Sequence, residues 1–274
     1  MTEEYRLIQV ERSGPVAEVV LNNPGRLNAM DATFFREIRR VFQELGGAPE
    51  VRAVVVWAMG RVFSSGLNLK EAMGLIPDLA SCASDAARNR ILHRTITEFQ
   101  ECFSQVRRCP KPVIAAVHGL CLGGGLDLAT ACDIRLATAD AMFGIQETKM
   151  AMVADLGTLQ RMSRICGRGF VREMAFTGNP VPALRALDFG LVNHLYADKS
   201  LMLEAARALA AEIAANSPLA VEGIKKVLDF CDQHSEEEGM EYVAQWNTAF
   251  FLSRDLSEAL DAFASKREPR FTGE

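Results

Sequence analysis

The chain has 274 residues, of which 49% are hydrophobic and 24% are charged, so it contains enough apolar material for a full globular core. Its net charge of −5 argues against a nucleic-acid binder that works through a broad basic face. The chain has no run of about 18 apolar residues, and no membrane span is expected. The seven cysteines are irregularly spaced and form no CxxC pair, which excludes an obvious zinc site or disulfide framework. A reducing compartment is expected, and with an acidic amino-terminal stretch that has no apolar signal segment, the expected location is the cytoplasm.

The first part of the chain predicts strands that alternate with helices. Residues 5–12 and 16–21 have the pattern of a strand pair, and Asp31 is placed to cap a helix that runs to about residue 45. Residues 53–57, with the sequence AVVVW, predict a strand that is covered on both faces. A helical stretch with a breaker at Pro77 is followed by a long predicted helix over 86–106.

The α/β pattern continues to about residue 178, and helices follow it. The sequence VIAAV at 113–117 predicts a second buried strand, LDLATAC a helix, and DIRLA at 133–137 a third strand. The remainder is mainly helical in pattern. The predicted helices of that remainder are 182–190, 200–215, 218–234 and 236 to about 265.

The stretch HGLCLGGGLDLA, residues 118–129, leads from a predicted buried strand through three glycines into a helix. Glycines allow a ligand to approach the backbone, and the unpaired N–H groups at a helix start attract negative charge. The stretch lacks both phosphate-loop patterns, and Asp127 would repel a phosphate. Two interpretations remain open: an oxyanion hole beside an acid, or a tight turn in which Asp127 only stabilises the helix dipole.

A second loop, FSSGLNLKEA at 63–72, also follows a predicted buried strand. Ligands of α/β sheets bind at the carboxyl ends of strands, so both loops could direct N–H groups at one oxygen atom. A plain surface loop is the alternative.

The stretch GIQETKMAMVADLGTLQR, residues 144–161, contains two carboxylates, Glu147 and Asp155. The close neighbours of Asp155 are small or apolar, and an unpaired carboxylate in such surroundings is costly. Taken from the residues alone, Asp155 is either an N-cap of the helix that begins near Thr158 or an acid kept for chemistry, and Glu147 is either a solvated loop acid or a partner in that chemistry.

Seven stretches, in the same order along the chain, resemble the crotonase superfamily (enoyl-CoA hydratases and isomerases) over nearly the whole length. They are NNPGRLNAM at 22–30, FSSGLNLKEA at 63–72, KPVIAAVHGLCLGGGLDLATACDIRLAT at 111–138, FGIQE at 143–147, LGTLQRM at 156–162, TGNPVPALRALDFGLVNHLY at 177–196 and AFASKREPRF at 262–271. The resemblance implies an α/β fold with a crotonase-like ββα spiral core. It implies an acyl-CoA-binding catalytic core over 1–195 and a helical carboxyl-terminal trimerisation region over 196–274.

The resemblance also implies how a thioester is bound. The backbone N–H groups of Leu67 and Gly124 would form the oxyanion hole for the thioester oxygen. Phe263 and Lys266 would reach the nucleotide part of CoA, and Lys266 would act as a point charge on a phosphate. The remaining predicted substrate and CoA contacts are Arg26, Ser65, Gly66, Asn68, Leu69 and Lys70.

Within the superfamily, the trio of Asp127, Glu147 and Asp155 resembles the Δ3,5-Δ2,4-dienoyl-CoA isomerases, because hydratases usually have glycine in place of Asp155. This resemblance implies a 1,5 proton shift in fatty-acid β-oxidation, with Glu147 and Asp155 as the proton-transfer acids and Asp127 orienting or tuning them. Apolar surroundings should raise the pKa values of the two transferring acids. No metal site and no cofactor beyond the CoA of the substrate are expected, and the partners implied are homotrimers or homohexamers.

Two alternatives to the isomerase remain. A 2-enoyl-CoA hydratase would use Asp127 and Glu147 on water, although Asp127 is shorter than the glutamate that is typical of hydratases. A crotonase-fold protein kept for binding, for example to RNA, would need a basic surface helix, and the basic clusters here are short pairs. The sequence does not determine the acyl chain length, the trimer or hexamer state, or which acid serves C2 and which serves C6.

Overall fold

A computed structural model describes residues 5–68 and 82–274 of the chain, and the predicted helical stretch around Pro77 lies outside these residues. Six strands of the described part form the main sheet, in the order β1-β2-β3-β4-β6-β9. The first pair is antiparallel, with Ile8 opposite Leu21, and the other neighbours run parallel. The strands of this sheet are β1 Ile8–Ser13, β2 Val16–Leu21, β3 Ala53–Ala58, β4 Val113–Val117, β6 Ile134–Thr138 and β9 His194–Tyr196.

A smaller sheet of three short strands lies beside the carboxyl end of β4. It consists of β5 Leu120–Leu122, β7 Met142–Gly144 and β8 Val181–Pro182, in the order β5-β7-β8. Strand β5 pairs in parallel with β7, so that Leu122 lies opposite Gly144. This pairing brings the glycine stretch that follows β5 next to the residues that follow β7.

Helices cover both faces of the main sheet and continue to the carboxyl terminus. The helix α1 begins after Asp31, whose carboxylate accepts hydrogen bonds from the N–H groups of Thr33 and Phe34, as the capping pattern predicts. The helices of the described residues are α1 Ala32–Gly47, α2 Asp85–Arg107, α3 Gly124–Ala131, α4 Thr158–Ile165, α5 Arg168–Thr177, α6 Ala183–Asp188, α7 Lys199–Ala215, α8 Pro218–Cys231, α9 Glu236–Phe250 and α10 Arg254–Ser265.

The central strands are buried on both faces, which explains their continuous apolar sequences. Alternate residues of β3 point to opposite sides: Val54 and Val56 belong to the larger core cluster, which includes residues of α1, α2 and α3. Val55 and Trp57 belong to the second cluster, which includes Met202 and other residues of α7. Both AVVVW and VIAAV are therefore strands, as predicted.

Several short elements differ from the sequence prediction. Strands β5 and β9 have three residues each: β5 falls in the stretch that leads into the glycines, and β9 falls between the predicted helices 182–190 and 200–215. The predicted helix from 236 to about 265 is two helices, because Ser253 caps a new one. Strand β9 spans the predicted domain boundary at 195/196, and the division into two domains stays a prediction. Within the described ranges, no helix combines the length and the apolar character that a membrane span requires.

Candidate active site

The loop that follows β3 is fixed by two buried polar side chains. The amide of Asn28 donates to the carbonyl oxygens of Met59 and Val62, at 2.9 Å each. The Ser64 hydroxyl donates to the carbonyl of Asn28 at 2.8 Å and accepts from the N–H of Gly66 at 3.1 Å. Asn28 has a φ of 51°, in the left-handed region, which asparagine tolerates better than most residues. These bonds hold Gly66 and Leu67 in one position.

The start of α3 lies directly against this loop. Gly124 is the first residue of α3, and a Cβ atom at Gly124 would lie 3.8 Å from the Cα of Gly66 and 3.9 Å from the amide nitrogen of Leu67. Gly66 has a φ of 86°, and a Cβ there would lie 2.7 Å from the Leu122 carbonyl oxygen, so glycine is required. The N–H groups of Leu67 and Gly124 donate to no other described residue. Two neighbouring unpaired donors suit an oxygen that gains negative charge.

Glu147 lies beside this pair of N–H groups. It begins a short 3-10 helix, Glu147–Met150, immediately after the β7 strand that pairs with β5. Its Oε1 is 3.2 Å from the position of a Cβ at Gly123, and Oε2 is buried without a hydrogen-bond partner among the described residues. Burial raises the pKa of the Glu147 carboxyl, and the negative charges of Asp127 and Asp155 raise it further. A raised pKa makes the ionised Glu147 a stronger base than an ordinary glutamate.

Asp127 is buried on α3, and other residues occupy its Oδ1. That oxygen accepts from the N–H of Thr158 at 2.7 Å and from the Thr158 hydroxyl at 2.6 Å. The Arg161 guanidinium lies 3.6 Å from the same oxygen and donates to the carbonyls of Asp127 and Leu156, each at 2.9 Å. Burial raises the pKa of Asp127, and Thr158 and Arg161 oppose the rise. Asp127 therefore joins α3 to the start of α4.

Asp155 is neither the cap of α4 nor buried, although its sequence neighbours suggest both. It does not cap α4, because Gly157 stands at the N-cap and Asp127 accepts the first N–H of that helix. Its apolar neighbours do not bury it: Asp155 is exposed, as are Met152 and Val153 before it. Nevertheless, the protein around the side chain removes enough water to raise the pKa of the carboxyl, and only its own N–H opposes this rise.

The three carboxylates share one electrostatic neighbourhood, since the charge of Asp155 also raises the pKa of Asp127 and of Glu147. The structure thus brings together the predicted acids and the predicted N–H pair. Their catalytic roles stay predictions. In the described part of the chain, no group of three metal-ligating side chains could hold a metal ion.

The predicted CoA contacts fall into four groups. Ser65 and Asn68 lie in the fixed loop, where the N–H of Ser65 donates to the Leu27 carbonyl and that of Asn68 to the Met30 carbonyl. Arg26 is exposed in the short 3-10 helix Pro24–Arg26. Leu69 and Lys70 lie outside the described residues. Phe263 and Lys266, both exposed, lie on or just after α10.

The carboxyl-terminal segment is tied to the opposite end of the sheet from the site loops. Arg52, just before β3, donates to the Phe271 carbonyl, whereas the site loops follow the carboxyl ends of β3 and β4. No hydrogen bond or ion pair joins Phe263 or Lys266 to the other predicted site residues within 5–68 and 82–274. Their contact with CoA stays a prediction.

Sequence reasoning missed four residues that position the site. Asn28 and Ser64 fall inside the stretches NNPGRLNAM and FSSGLNLKEA, so motif position was an available signal for them. Thr158 and Arg161 contact Asp127 from 31 and 34 residues away, and no local pattern predicts such contacts.

Comparison with known proteins gives consistent results. The family described as "Enoyl-CoA hydratase/isomerase" matches residues 11–274. The mitochondrial Delta(3,5)-Delta(2,4)-dienoyl-CoA isomerase of Dictyostelium discoideum is 42% identical over 98% of this chain and 92% of its own length. The peroxisomal Delta(3,5)-Delta(2,4)-dienoyl-CoA isomerase of Arabidopsis thaliana is 39% identical over 98% of both chains. The crystal structure of an enoyl-CoA hydratase from Bacillus anthracis superimposes with a TM-score of 0.89 at 28% identity, over 98% of this chain and 100% of that one.

These comparisons confirm the predicted α/β fold with a crotonase-like core and the resemblance to the superfamily. The predicted cytoplasmic location is wrong, because the relatives with a location in their names are mitochondrial or peroxisomal. The prediction relied on composition and on an absent signal segment, and neither property separates these compartments.

Proposed function

The chain belongs to the enoyl-CoA hydratase/isomerase family, and from this premise we propose that it is a Δ3,5-Δ2,4-dienoyl-CoA isomerase of fatty-acid metabolism. One observation carries the proposal most strongly. Of the three neighbouring carboxylates, Asp127 is engaged by Thr158 and Arg161, whereas Glu147 has an unpartnered buried oxygen and the only partner of the Asp155 carboxylate among the described residues is its own N–H. Two acids therefore remain for proton transfer, and a 1,5 shift needs two.

The proposed reaction begins with the thioester oxygen between the N–H groups of Leu67 and Gly124. Removing a proton from C2 sends the electron pair of the C–H bond into the conjugated system, and the negative charge collects on the thioester oxygen. Two fixed dipoles stabilise that charge without reorganising, so that a carboxylate of raised pKa is a sufficient base.

Glu147 is the proposed base at C2. Carbon C2 is bonded directly to the thioester carbon, so its base must lie next to the oxyanion hole. The Oε1 of Glu147 is 3.2 Å from the Cβ position of Gly123, the residue that precedes Gly124. Of the two remaining acids, Glu147 has this contact.

Asp155 is the proposed acid at C6. It donates its proton to C6 as the double bonds move from positions 3 and 5 to positions 2 and 4, and it is left ionised while Glu147 is left protonated. Each turnover moves one proton off the substrate and one onto it, so atoms and charge balance in the substrate. Before the next turnover Glu147 releases its proton to water that enters as the product leaves, and the exposed Asp155 takes one from water, which restores the starting state.

The hydratase alternative is less well supported by the same contacts. A hydratase would need Asp127 and Glu147 to hold one water molecule between them. The Oδ1 of Asp127 already accepts two hydrogen bonds from Thr158. A carboxylate oxygen that already accepts two hydrogen bonds from the start of α4 is poorly placed to bind a catalytic water molecule.

The proposed substrate is an acyl-CoA, held without a metal or a further cofactor, and the proposed assembly is a homotrimer or homohexamer. The carboxyl-terminal helices support assembly because large apolar side chains are exposed there: Phe251 is 61% exposed, Leu252 95% and Phe263 86%. Apolar surface of this kind commonly marks a protein interface. Light scattering of the purified protein would give the number of subunits.

The test of the proposed activity uses two substrates. The purified protein is mixed with a 3,5-dienoyl-CoA while the near-ultraviolet absorbance of the conjugated 2,4-dienoyl thioester is followed, and a parallel sample contains a 2-enoyl-CoA. Rapid growth of the diene absorbance with slow hydration is expected. Rapid loss of the enoyl absorbance with an unchanged dienoyl-CoA would identify a hydratase instead.

A further inference from the structure

We infer that Gln100, on the helix α2, is a positioning residue for the acid Asp155. The inference rests on the proposed function, since it concerns the step that delivers a proton to C6. Gln100 is 55 residues from Asp155 in sequence, and its side-chain nitrogen Nε2 donates to the backbone carbonyl of Asp155 at 2.7 Å. This is the hydrogen bond that joins α2 to the loop carrying the acid.

The direction of the Asp155 side chain depends on its backbone. Apart from its own N–H, no described residue donates a hydrogen bond to its carboxylate. The backbone at residue 155 sets the direction of the Cα–Cβ bond, and so the region that this carboxylate can reach. Whatever fixes the backbone at residue 155 therefore fixes the acid.

Two side chains from different helices hold consecutive carbonyl groups of this backbone. Gln100 of α2 holds the carbonyl of Asp155, and Arg161 of α4 holds that of Leu156 at 2.9 Å. On the amino-terminal side, Ala154 is buried in the larger core cluster. The backbone of the exposed acid is therefore held on both sides. Of the two side-chain donors, Arg161 also pairs with Asp127, whereas Gln100 has no hydrogen bond or ion pair with Asp127 among the described residues.

The position of Gln100 makes it separable from the rest of the site. Arg161 is buried and also contacts Asp127, so replacing it would disturb α3 and α4 together. Gln100 is only partly buried and lies in the interior of a long helix, where alanine is well tolerated. A defect in a Gln100 variant can therefore be assigned to the loop that carries Asp155.

The experiment compares Gln100→Ala and Gln100→Glu with Gln105→Ala in D2O. Gln105 is on the same helix and donates to Glu101, not to the site, which makes it a matched control. Gln100→Glu keeps the length of the side chain and removes its donor. Two rates are measured on a 3,5-dienoyl-CoA: formation of the 2,4-diene, and deuterium exchange at C2 of the recovered substrate.

Because a misplaced catalytic group slows its own step, both Gln100 variants should form diene roughly tenfold more slowly. They should keep wild-type exchange at C2, which depends on Glu147, and Gln105→Ala should match the wild type in both rates. Wild-type diene formation in the Gln100 variants, or equal loss of both rates, would overturn the inference. A wild-type protein that forms no diene at all would instead contradict the proposed function.

Discussion

The carboxylate of Asp127 caps a helix to which it does not belong: its Oδ1 accepts both the backbone N–H and the hydroxyl of Thr158, the first residue of α4. Asp127 lies in the first turn of α3, whose first residue, Gly124, supplies one N–H of the candidate oxyanion hole. One buried side chain therefore fixes the helix that starts at the candidate oxyanion hole relative to the loop that carries Asp155. The arrangement explains why an acid at position 127 is useful without transferring a proton.

Removing the Asp127 side chain should destabilise the protein more than replacing its carboxylate by a neutral amide. Asp127→Ala leaves the Thr158 donors and the buried Arg161 guanidinium without their carboxylate, and the free energy of unfolding should fall by about 3–5 kcal/mol. Asp127→Asn keeps an acceptor oxygen for Thr158 and should cost about 1–2 kcal/mol. Urea unfolding of both variants measures the difference, and equal losses would contradict the capping role.

A methyl group at Gly124 should remove the oxyanion hole. The added Cβ would lie 3.9 Å from the Leu67 nitrogen and 3.0 Å from the Met30 sulfur, and so would occupy the space between the two N–H groups. Diene formation by Gly124→Ala should fall roughly 10²–10³-fold. Gly47→Ala is the control, because a Cβ there meets nothing within 4 Å. Unchanged activity in Gly124→Ala would place the thioester elsewhere.

The pH dependence of the two proton-transfer acids should change in a defined direction when one is removed. As a coupled pair that works with one proton, Glu147 and Asp155 should give a bell-shaped rate profile for diene formation. In Asp155→Asn, the rate of deuterium exchange at C2 should only rise with pH. This exchange requires Glu147 to be ionised and does not require a second, protonated acid. The midpoint of that rise should coincide with the acidic limb of the wild type, because Asp155 is protonated on that limb and is then as uncharged as the asparagine. Only ionised Asp155 raises the pKa of Glu147. An exchange rate in Asp155→Asn that still falls at high pH would show that a group other than Asp155 must stay protonated.

An ion pair between the buried Glu18 and the half-exposed Arg207, on the other face of the sheet, should contribute stability that depends on pH. Glu18 accepts from Trp57 at 2.7 Å and from two nitrogens of Arg207, and its bonds to Arg207 hold its pKa below the ordinary 4.5. A lowered pKa in the folded state contributes stability above pH 4.5, and this contribution is lost as the pH falls through the folded-state pKa.

Arg207→Ala should therefore lower the free energy of unfolding by about 1–2 kcal/mol at pH 7, because the buried Glu18 keeps its charge without a cation, while water around the half-exposed Arg207 already screens part of the attraction. The loss should shrink below pH 4.5. Arg12→Ala, which breaks an exposed ion pair with Glu50, should cost under about 1 kcal/mol. A loss at Arg207 that is independent of pH would mean that packing, not charge, is responsible.

The sequence predicts the parts of this fold that have strong local signals. AVVVW and VIAAV are apolar throughout because both faces of β3 and β4 are covered, and Asp31 predicts the start of α1 because its cap is local. The strands β5 and β9 escape prediction because three residues are too few to show a period. Their pairing depends on neighbours distant in sequence.

The candidate site divides in the same way. The acids Asp127, Glu147 and Asp155 and the two glycine loops can be found from motifs and from the family resemblance. The environment of these acids cannot be found from the sequence. The apolar neighbours of Asp155 suggest burial, but the loop they form lies at the surface. The contacts of Asp127 with Thr158 and of Gln100 with Asp155 are tertiary, and only the fold brings those residues together.

In the proposed reaction two carboxylates, and not one, transfer protons: one removes the proton from C2 and the other supplies a different proton to C6. The most direct test is to convert a 3,5-dienoyl-CoA in D2O and to locate deuterium in the 2,4-dienoyl product by NMR. The account predicts deuterium at C6, delivered by the solvent-exposed Asp155, and its loss together with diene formation in Asp155→Asn. A product that retains the original C2 hydrogen at C6, or full activity in Asp155→Asn, would mean that a single acid moves the proton and would contradict the account.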